Sequence, residues 1–186
     1  MQYYNLQILN LERKLPLIQV GKNTKIASFS ILGDVKLCNK LADKMSQKLK
    51  KEKFDYLVGP EVKVVPLIHG IAVRLKHSKY VVCRKSIKNY MTAPIQIKPL
   101  SHFPKHTKPL VINGPDVQML TGKKVIIIDD VVSTGVTLRM LTFLMKKINA
   151  QVVGYYIALK QGTQFDQFDN LHTFGTLPIF PVDNTK

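Results

Sequence analysis

Residues 125–137 read "VIIIDDVVSTGVT". Val125 to Ile128 are a short apolar, mostly β-branched run, the mark of a strand buried on both faces. Asp129 and Asp130 follow without a break. Adjacent carboxylates repel each other, so this strand end needs hydrogen-bond donors or a cation opposite it. The next loop carries Ser133, Thr134, Gly135 and Thr137 and leads into 135–148, which reads as a helix. Backbone N–H groups at a helix N-terminus, with hydroxyls beside them, form an anion cradle, and Gly135 lets the backbone turn and approach closely. Acceptors for a diol next to a phosphate cradle suit a ribose 5-phosphate. A strand ending in a solvated acidic turn could carry a bare Asp-Asp, but the full string is more specific than that.

Outward from this stretch, strands and helices alternate. Asp34 reads as a helix N-cap, and Val35, Cys38, Leu41, Ala42, Met45 and Leu49 follow at helical spacing with lysines on the other face. "FDYLVG" at 54–59 is a short buried strand, 66–77 a helix, "KYVVCRK" at 79–85 a strand and "QVVGYYIALK" at 151–160 another. The pattern predicts an α/β fold, a central parallel sheet flanked by helices, with ligands at the carboxyl ends of the strands. Residues 3–32 read instead as short strands broken by turns, "GKN" at 21–23 among them, and predict a small separate lobe. Residues 86–114 hold four prolines and alternating apolar residues, which predicts a long mobile hairpin of the kind that is usually functional.

The chain has 186 residues, 45% hydrophobic and 22% charged, which fits a single domain over 1–186. No apolar run approaches the roughly 20 residues needed to span a bilayer, and the start lacks a secretory pattern. No membrane partner and a cytoplasmic location are expected. Cys38 and Cys83 are far apart and match no metal spacing, so both are expected reduced. The net charge of +16 fits a Lys-rich solvated surface, a phosphorylated small-molecule ligand or nucleic acid.

"VIIIDDVVSTGVT" resembles the phosphoribosyl pyrophosphate (PRPP) signature of the type I phosphoribosyltransferases, nearest to adenine phosphoribosyltransferase and its purine-linked relatives. "DYLVGPEVKVVPLIHGIAVRL" resembles the segment in which a tight turn precedes a basic residue, and "YVVCRKSIKNYM" resembles the family's Arg-Lys strand end; together the matches cover roughly 54–160. The resemblance implies the type I phosphoribosyltransferase fold. It makes 34–160 the PRPP-binding core, 1–33 with the C-terminal tail a hood over the base, and 86–114 the mobile loop. Asp129 and Asp130 would bind the ribose hydroxyls and, with Lys63, form the catalytic set. Ser133, Thr134, Gly135, Val136 and Thr137 would bind the 5-phosphate, partly through backbone N–H groups. Glu61, Val62 and Lys63 would hold pyrophosphate, helped by Arg84, Lys85 and Lys88 from the neighbouring subunit of a homodimer. Lys63 stands where Arg is common and offers a point charge without the bidentate fork. Mg²⁺ is the implied cofactor, carried by PRPP and reached by Asp129 and Asp130. Phe29 is the candidate for stacking on the base, with Ala27 on the same strand face and Ser28 pointing away; ordinary core packing is the competing reading of Phe29. Phe174 and Leu177 would form the opposite wall, and Tyr90 would pack on the closed loop, in the core or at the surface.

The implied reaction joins a purine base, adenine favoured, to PRPP and releases pyrophosphate, a step of purine salvage. One position departs from the adenine-specific pattern. Asn113, in "LVINGPD", stands near where a loop acid is expected, and an amide cannot act as a general base. Asp116 is close in sequence but follows the Gly-Pro. The alternative function is a non-catalytic, PRPP-sensing regulator that binds nucleic acid, in keeping with the +16 charge.

Overall fold

The fold is that of a computed structural model, which describes residues 1–162, 165 and 168–182. The last four residues, the end of the expected tail lobe, lie outside the described residues. The chain runs β1 (Tyr3–Ile8), β2 (Leu11–Gln19), β3 (Thr24–Ala27), α1 (Val35–Leu49), β4 (Tyr56–Pro60), α2 (Val65–Leu75), β5 (Val81–Cys83), β6 (Ile95–Ile97), β7 (Leu110–Ile112), α3 (Gly114–Leu120), β8 (Lys124–Val132), α4 (Val136–Lys147), β9 (Gln151–Gln161), β10 (Leu171–Thr173), β11 (Thr176–Leu177) and β12 (Ile179–Pro181).

The central sheet has the order β10-β9-β8-β4-β5, with β11 also on β9, and every pairing is parallel. Parallel strands buried on both faces need apolar side chains throughout, and Val125, Ile126, Ile127 and Ile128 are all at most 1% exposed. One face packs on α1 and α2, the other on α4 and the β6–β7 hairpin. After β4 the chain moves outward to β5, then returns to place β8 on the other side of β4. That reversal opens a crevice beyond the carboxyl ends of β4 and β8, where ligands bind in sheets of this kind.

The β8 ladder sharpens the crevice. β8 pairs with β4 only through Ile127, but with β9 as far as Val132. The sequence puts the aspartates at the end of this strand, and the strand continues beyond them. It runs through them to Val132, with its β4-side edge open beyond Ile127. Gly59 makes the neighbouring approach possible: a Cβ there would lie 2.9 Å from the Ile128 carbonyl oxygen and 2.9 Å from Val64.

α1 forms where its spacing predicts. Asp34 caps it by accepting from Leu37 N at 3.0 Å, and Leu37, Cys38, Leu41, Ala42, Met45 and Leu49 are buried. Val35, expected on the same stripe, is exposed in the first turn. The Asp34 carboxylate also takes the fork of Arg13 from β2, whose hydrogen bonds hold it below the ordinary carboxylate range.

The N-terminal strands form an antiparallel sheet in the order β1-β2-β3-β12, completed by a strand from the tail. This lobe is not a separate globule. Leu6, Ile8, Leu11 and Leu15 belong to one apolar cluster with α1, α2 and the central sheet. Among the described residues no helix is long and apolar enough to cross a membrane.

Residues 86–114 contain the antiparallel β6–β7 hairpin, joined to Arg84 by a bridge to Val111. Past it lies α3, read from sequence as a Gly-Pro turn. Asn113 is its N-cap and Pro115 sits in its first turn, positions those residues favour.

Candidate active site

The two carboxylates lie at the floor of the crevice, 6% and 7% exposed for Asp129 and Asp130. Asp130 N donates to Asp129 Oδ1 at 2.8 Å, and Val131 N donates to Asp130 Oδ1 at 3.0 Å. Asp130 Oδ2 is buried with no hydrogen-bond partner among the described residues. Burial raises the Asp129 carboxyl well above its ordinary value, and the adjacent Asp130 charge adds to the effect. Burial also raises Asp130, opposed first by Lys63. Lys85 acts in the same opposing sense on Asp129. Burial thus disfavours the charged form of both carboxyls, and hydrogen-bond donors or positive charge arriving in the crevice would offset that cost.

The 133–137 loop stands beside this floor. Gly135 caps α4 in the left-handed conformation, φ 71°, with no side-chain capping bond and no acidic residue in the first turn. Val136 N makes only a long contact to Thr134 Oγ1, at 3.5 Å, and the helix end is electropositive. A cavity of about 350 Å³ opens here, lined by Ser133, Thr134, Thr137, Lys85, His106 and Lys108 among others. Hydroxyls, a helix N-terminus and basic side chains together favour a phosphate. Arg139 Nη2 donates to the Thr134 carbonyl at 2.7 Å, and its guanidinium lies 5.6 Å from the centre of the Phe103 ring. Arg139 thereby ties the hairpin tip to the loop.

The turn after β4 is braced by Glu61. Its Oε1 accepts from Lys85 N at 2.6 Å, and its Oε2 forms an ion pair with Arg84. Both oxygens of Glu61 are engaged, so its side chain is a strut between β4 and β5, while Val62 and Lys63 are exposed in the turn. Arg84, Lys85 and Lys88 make different contacts. Arg84 is held by Glu61 of its own chain, Lys85 lines its own chain's cavity, and Lys88 Nζ donates to Ser86 Oγ at 2.7 Å. Tyr90 is exposed.

Of the two readings of Phe29, the structure shows the core-packing one. β3 ends at Ala27, so Phe29 does not continue its strand face. Phe29 is 7% exposed and packs in the cluster shared with α1. Leu177 is buried in that cluster, and Phe174 packs against it and against Tyr156. Sequence reasoning missed Phe103, His106, Lys108, Arg139 and Gln161, all lining the two cavities beside the phosphate loop. Only the hairpin's fold-back brings the first three there, and nothing local in the sequence signals it.

Asn113 lies at the hairpin base. Its Oδ1 accepts from Thr92 N at 2.9 Å and from Gly114 N at 3.1 Å. Gly114 belongs to the same clamp, since a Cβ there would lie 2.5 Å from the Thr92 carbonyl oxygen. Asn113 is thus a cap and a clamp. Asn113→Ala is expected to lower stability in urea by about 1 kcal/mol, with Asn113→Asp retaining most of it. Asp116 lies in the first turn of α3, raised by burial and opposed by Lys79. Cys83 is fully buried, which pushes its thiol up to about 12 and rules it out as a nucleophile at neutral pH.

Residues 30–183 match the family model described as phosphoribosyl transferase domain. A stretch of 135 residues is 30% identical to orotate phosphoribosyltransferase of Acinetobacter baumannii, covering 69% of this chain and 54% of that protein. A stretch of 43 residues is 44% identical to hypoxanthine-guanine phosphoribosyltransferase of Cricetulus griseus, covering 23% of this chain and 20% of that protein. The chain thus spans about half or less of the length of these relatives. The fold is shared with adenine phosphoribosyltransferase of Thermoanaerobacter pseudethanolicus, with a TM-score of 0.61 and 22% identity over 78% of this chain and 83% of that one.

Proposed function

This chain belongs to the phosphoribosyl transferase domain family, and from that premise we propose that it is a purine phosphoribosyltransferase, adenine its favoured base, acting in purine salvage. The observation that carries the reading is the pairing of the buried carboxylates of Asp129 and Asp130, with Asp130 Oδ2 left without a partner among the described residues, and the cavity beside the 133–137 loop.

The reaction breaks the bond between ribose C1 and the pyrophosphate oxygen and forms a bond from C1 to a base nitrogen, and the proton that the base sheds passes to the departing pyrophosphate or to water. Positive charge develops on the ribose ring, and negative charge gathers on the leaving group. The 5-phosphate is anchored by Ser133, Thr134 and Thr137 and the backbone of Gly135 and Val136, so binding energy remote from C1 orients the sugar. Asp129 and Asp130 accept hydrogen bonds from the ribose hydroxyls. Their negative charge beside the ring also favours the cationic transition state. Lys63 and Lys85 draw the pyrophosphate away, and Glu61 braces the turn that carries Lys63. The hairpin over 86–114 closes on the site and keeps water from C1.

Mg²⁺ belongs to the same proposal, and the residues present suit it. Among the described residues no three His, Cys, Asp or Glu side chains cluster as a metal cage. Magnesium commonly binds through one or two carboxylates and substrate phosphates, and Asp130 Oδ2 is a buried acceptor without a partner. When bound, the ion neutralises charge on the phosphate groups of PRPP. The proposal extends to a homodimer in which Lys88 reaches the partner's pyrophosphate. The free, buried Cys38 and Cys83 suit a reducing compartment, the cytoplasm.

The test is pyrophosphate release with PRPP, Mg²⁺ and each purine base in turn, with orotate included. Release with adenine above all others is expected. Turnover only with orotate would overturn the purine assignment. If PRPP raised the melting temperature and no base gave turnover, the PRPP-sensing regulator would replace the enzyme.

A further inference from the structure

A second cavity, about 470 Å³, shares Ser133 and Thr134 with the phosphate cavity and extends to the end of β9. Its lining includes Phe103, Arg139, Gln161, Gly162 and Ile179. Phe103 and Ile179 supply apolar surface from two segments far apart in sequence, the hairpin tip and β12. Gly162, at φ 91°, leaves the floor without a side chain. Arg139 is already occupied by the Thr134 carbonyl and the Phe103 ring.

Gln161 is different. It is the last residue of β9, 6% exposed, and its Nε2 is buried with no hydrogen-bond partner among the described residues. A buried amide donor left unmatched is costly, so a ligand that brings an acceptor is favoured at this point. The cavity around it suits a flat heterocycle: apolar surface from Phe103 and Ile179, and an unmatched amide at Gln161 beside the polar His102, Ser133, Thr134 and Arg139. Its border on the phosphate loop puts it within reach of a sugar anchored there.

We propose that Gln161 reads the edge of the nucleobase. Its Nε2 donates to a ring nitrogen, and its Oε1 accepts from the adjacent exocyclic amine. A carboxamide matches adenine in that two-bonded manner. The base lies between Phe103 and Ile179, so the hairpin tip closes one side of the base slot as well as covering the phosphate. The proposal rests on the phosphoribosyltransferase reading of the neighbouring loop.

Calorimetric titration with ribose 5-phosphate and with AMP, on the wild type and on Gln161→Leu, separates the two. Both variants should bind ribose 5-phosphate within twofold of each other. AMP affinity should fall about ten- to a hundredfold in Gln161→Leu. Gln161→Met, closer in shape to the native side chain, should behave likewise and covers the case of a poorly folded leucine variant. Equal AMP affinity in the wild type and either folded variant overturns the assignment of Gln161 alone. Failure of the wild type to bind ribose 5-phosphate sinks the phosphoribosyltransferase reading and the assignment with it.

Discussion

Replacing Asp129 by Asn lowers turnover about a thousandfold and, in the ligand-free protein, raises the melting temperature. The first effect follows from charge. An amide of the same shape keeps one acceptor oxygen but loses the negative charge that, on the proposed reaction, would face the developing ribose cation, and preorganised groups of this kind contribute on the order of 3–4 kcal/mol. The second follows from burial. Asp129 and Asp130 are both raised, chiefly by desolvation. A carboxyl whose folded pKa exceeds its ordinary value near 3.8 favours the folded state below that value and withdraws this support as pH rises through the folded pKa. The wild type should therefore gain melting temperature as pH falls from neutrality toward the ordinary carboxylate range. Below that range the trend reverses. Asp34, lowered by Arg13, contributes stability that is lost as pH falls through its folded pKa. Asn at 129 should flatten the first limb and leave the second. Steady-state kinetics and a melting series from pH 8 to pH 3 check both limbs. Full activity in Asp129→Asn would remove this residue from the ribose site.

Gly135→Val should abolish most PRPP binding, by about a hundredfold or more, at a modest loss of fold stability. Gly135 sits at φ 71° and ψ 1°, a conformation that costs a side-chain-bearing residue about 1–2 kcal/mol, and more for a branched one. It is also the N-cap of α4, so a shift there moves the N–H groups that the proposed function aims at the phosphate. A differential melting scan with and without PRPP reads the outcome: the wild type shifts upward and Gly135→Val does not. Gly135→Asn, which tolerates the left-handed conformation, should keep part of the shift. A full PRPP shift in the valine variant would remove the loop from the phosphate site.

The parallel sheet was legible because its determinants are local. The "VIIIDD" run, the Asp34 cap and the α1 stripe each act within a turn or a strand. The features missed are those settled at a distance or by weak codes. The β1–β2 hairpin turns at Leu9 and Asn10, both at positive φ, and leucine is a poor signal for such a turn. α3 was hidden because its start, Asn-Gly-Pro, is also a turn signature. In the candidate site, Asp129, Asp130 and 133–137 were readable as one contiguous motif. Gln161 was not, because its significance depends on Phe103 and Ile179 converging on it from opposite parts of the chain. For Phe29 the sequence left base stacking and core packing open, because the period-2 pattern gave no sign that β3 ends at Ala27; the structure packs it in the core.

The pairing of Ile179 with Ile26 also has a consequence for biosynthesis. Until residues 179–181 leave the ribosome, β3 presents a bare edge to the cell. At roughly 5–20 residues per second, that exposure lasts on the order of ten seconds in a bacterial or eukaryotic cytosol. Lys22 and Lys25 flank and occupy this edge, and charge of that kind discourages a stray strand from adding to it. The nascent chain should be able to build the crevice between β4 and β8 before the sheet that β12 completes is closed. A ribosome-stalled chain ending near residue 175 would then be the species most vulnerable to capture by chaperones or by another copy of itself.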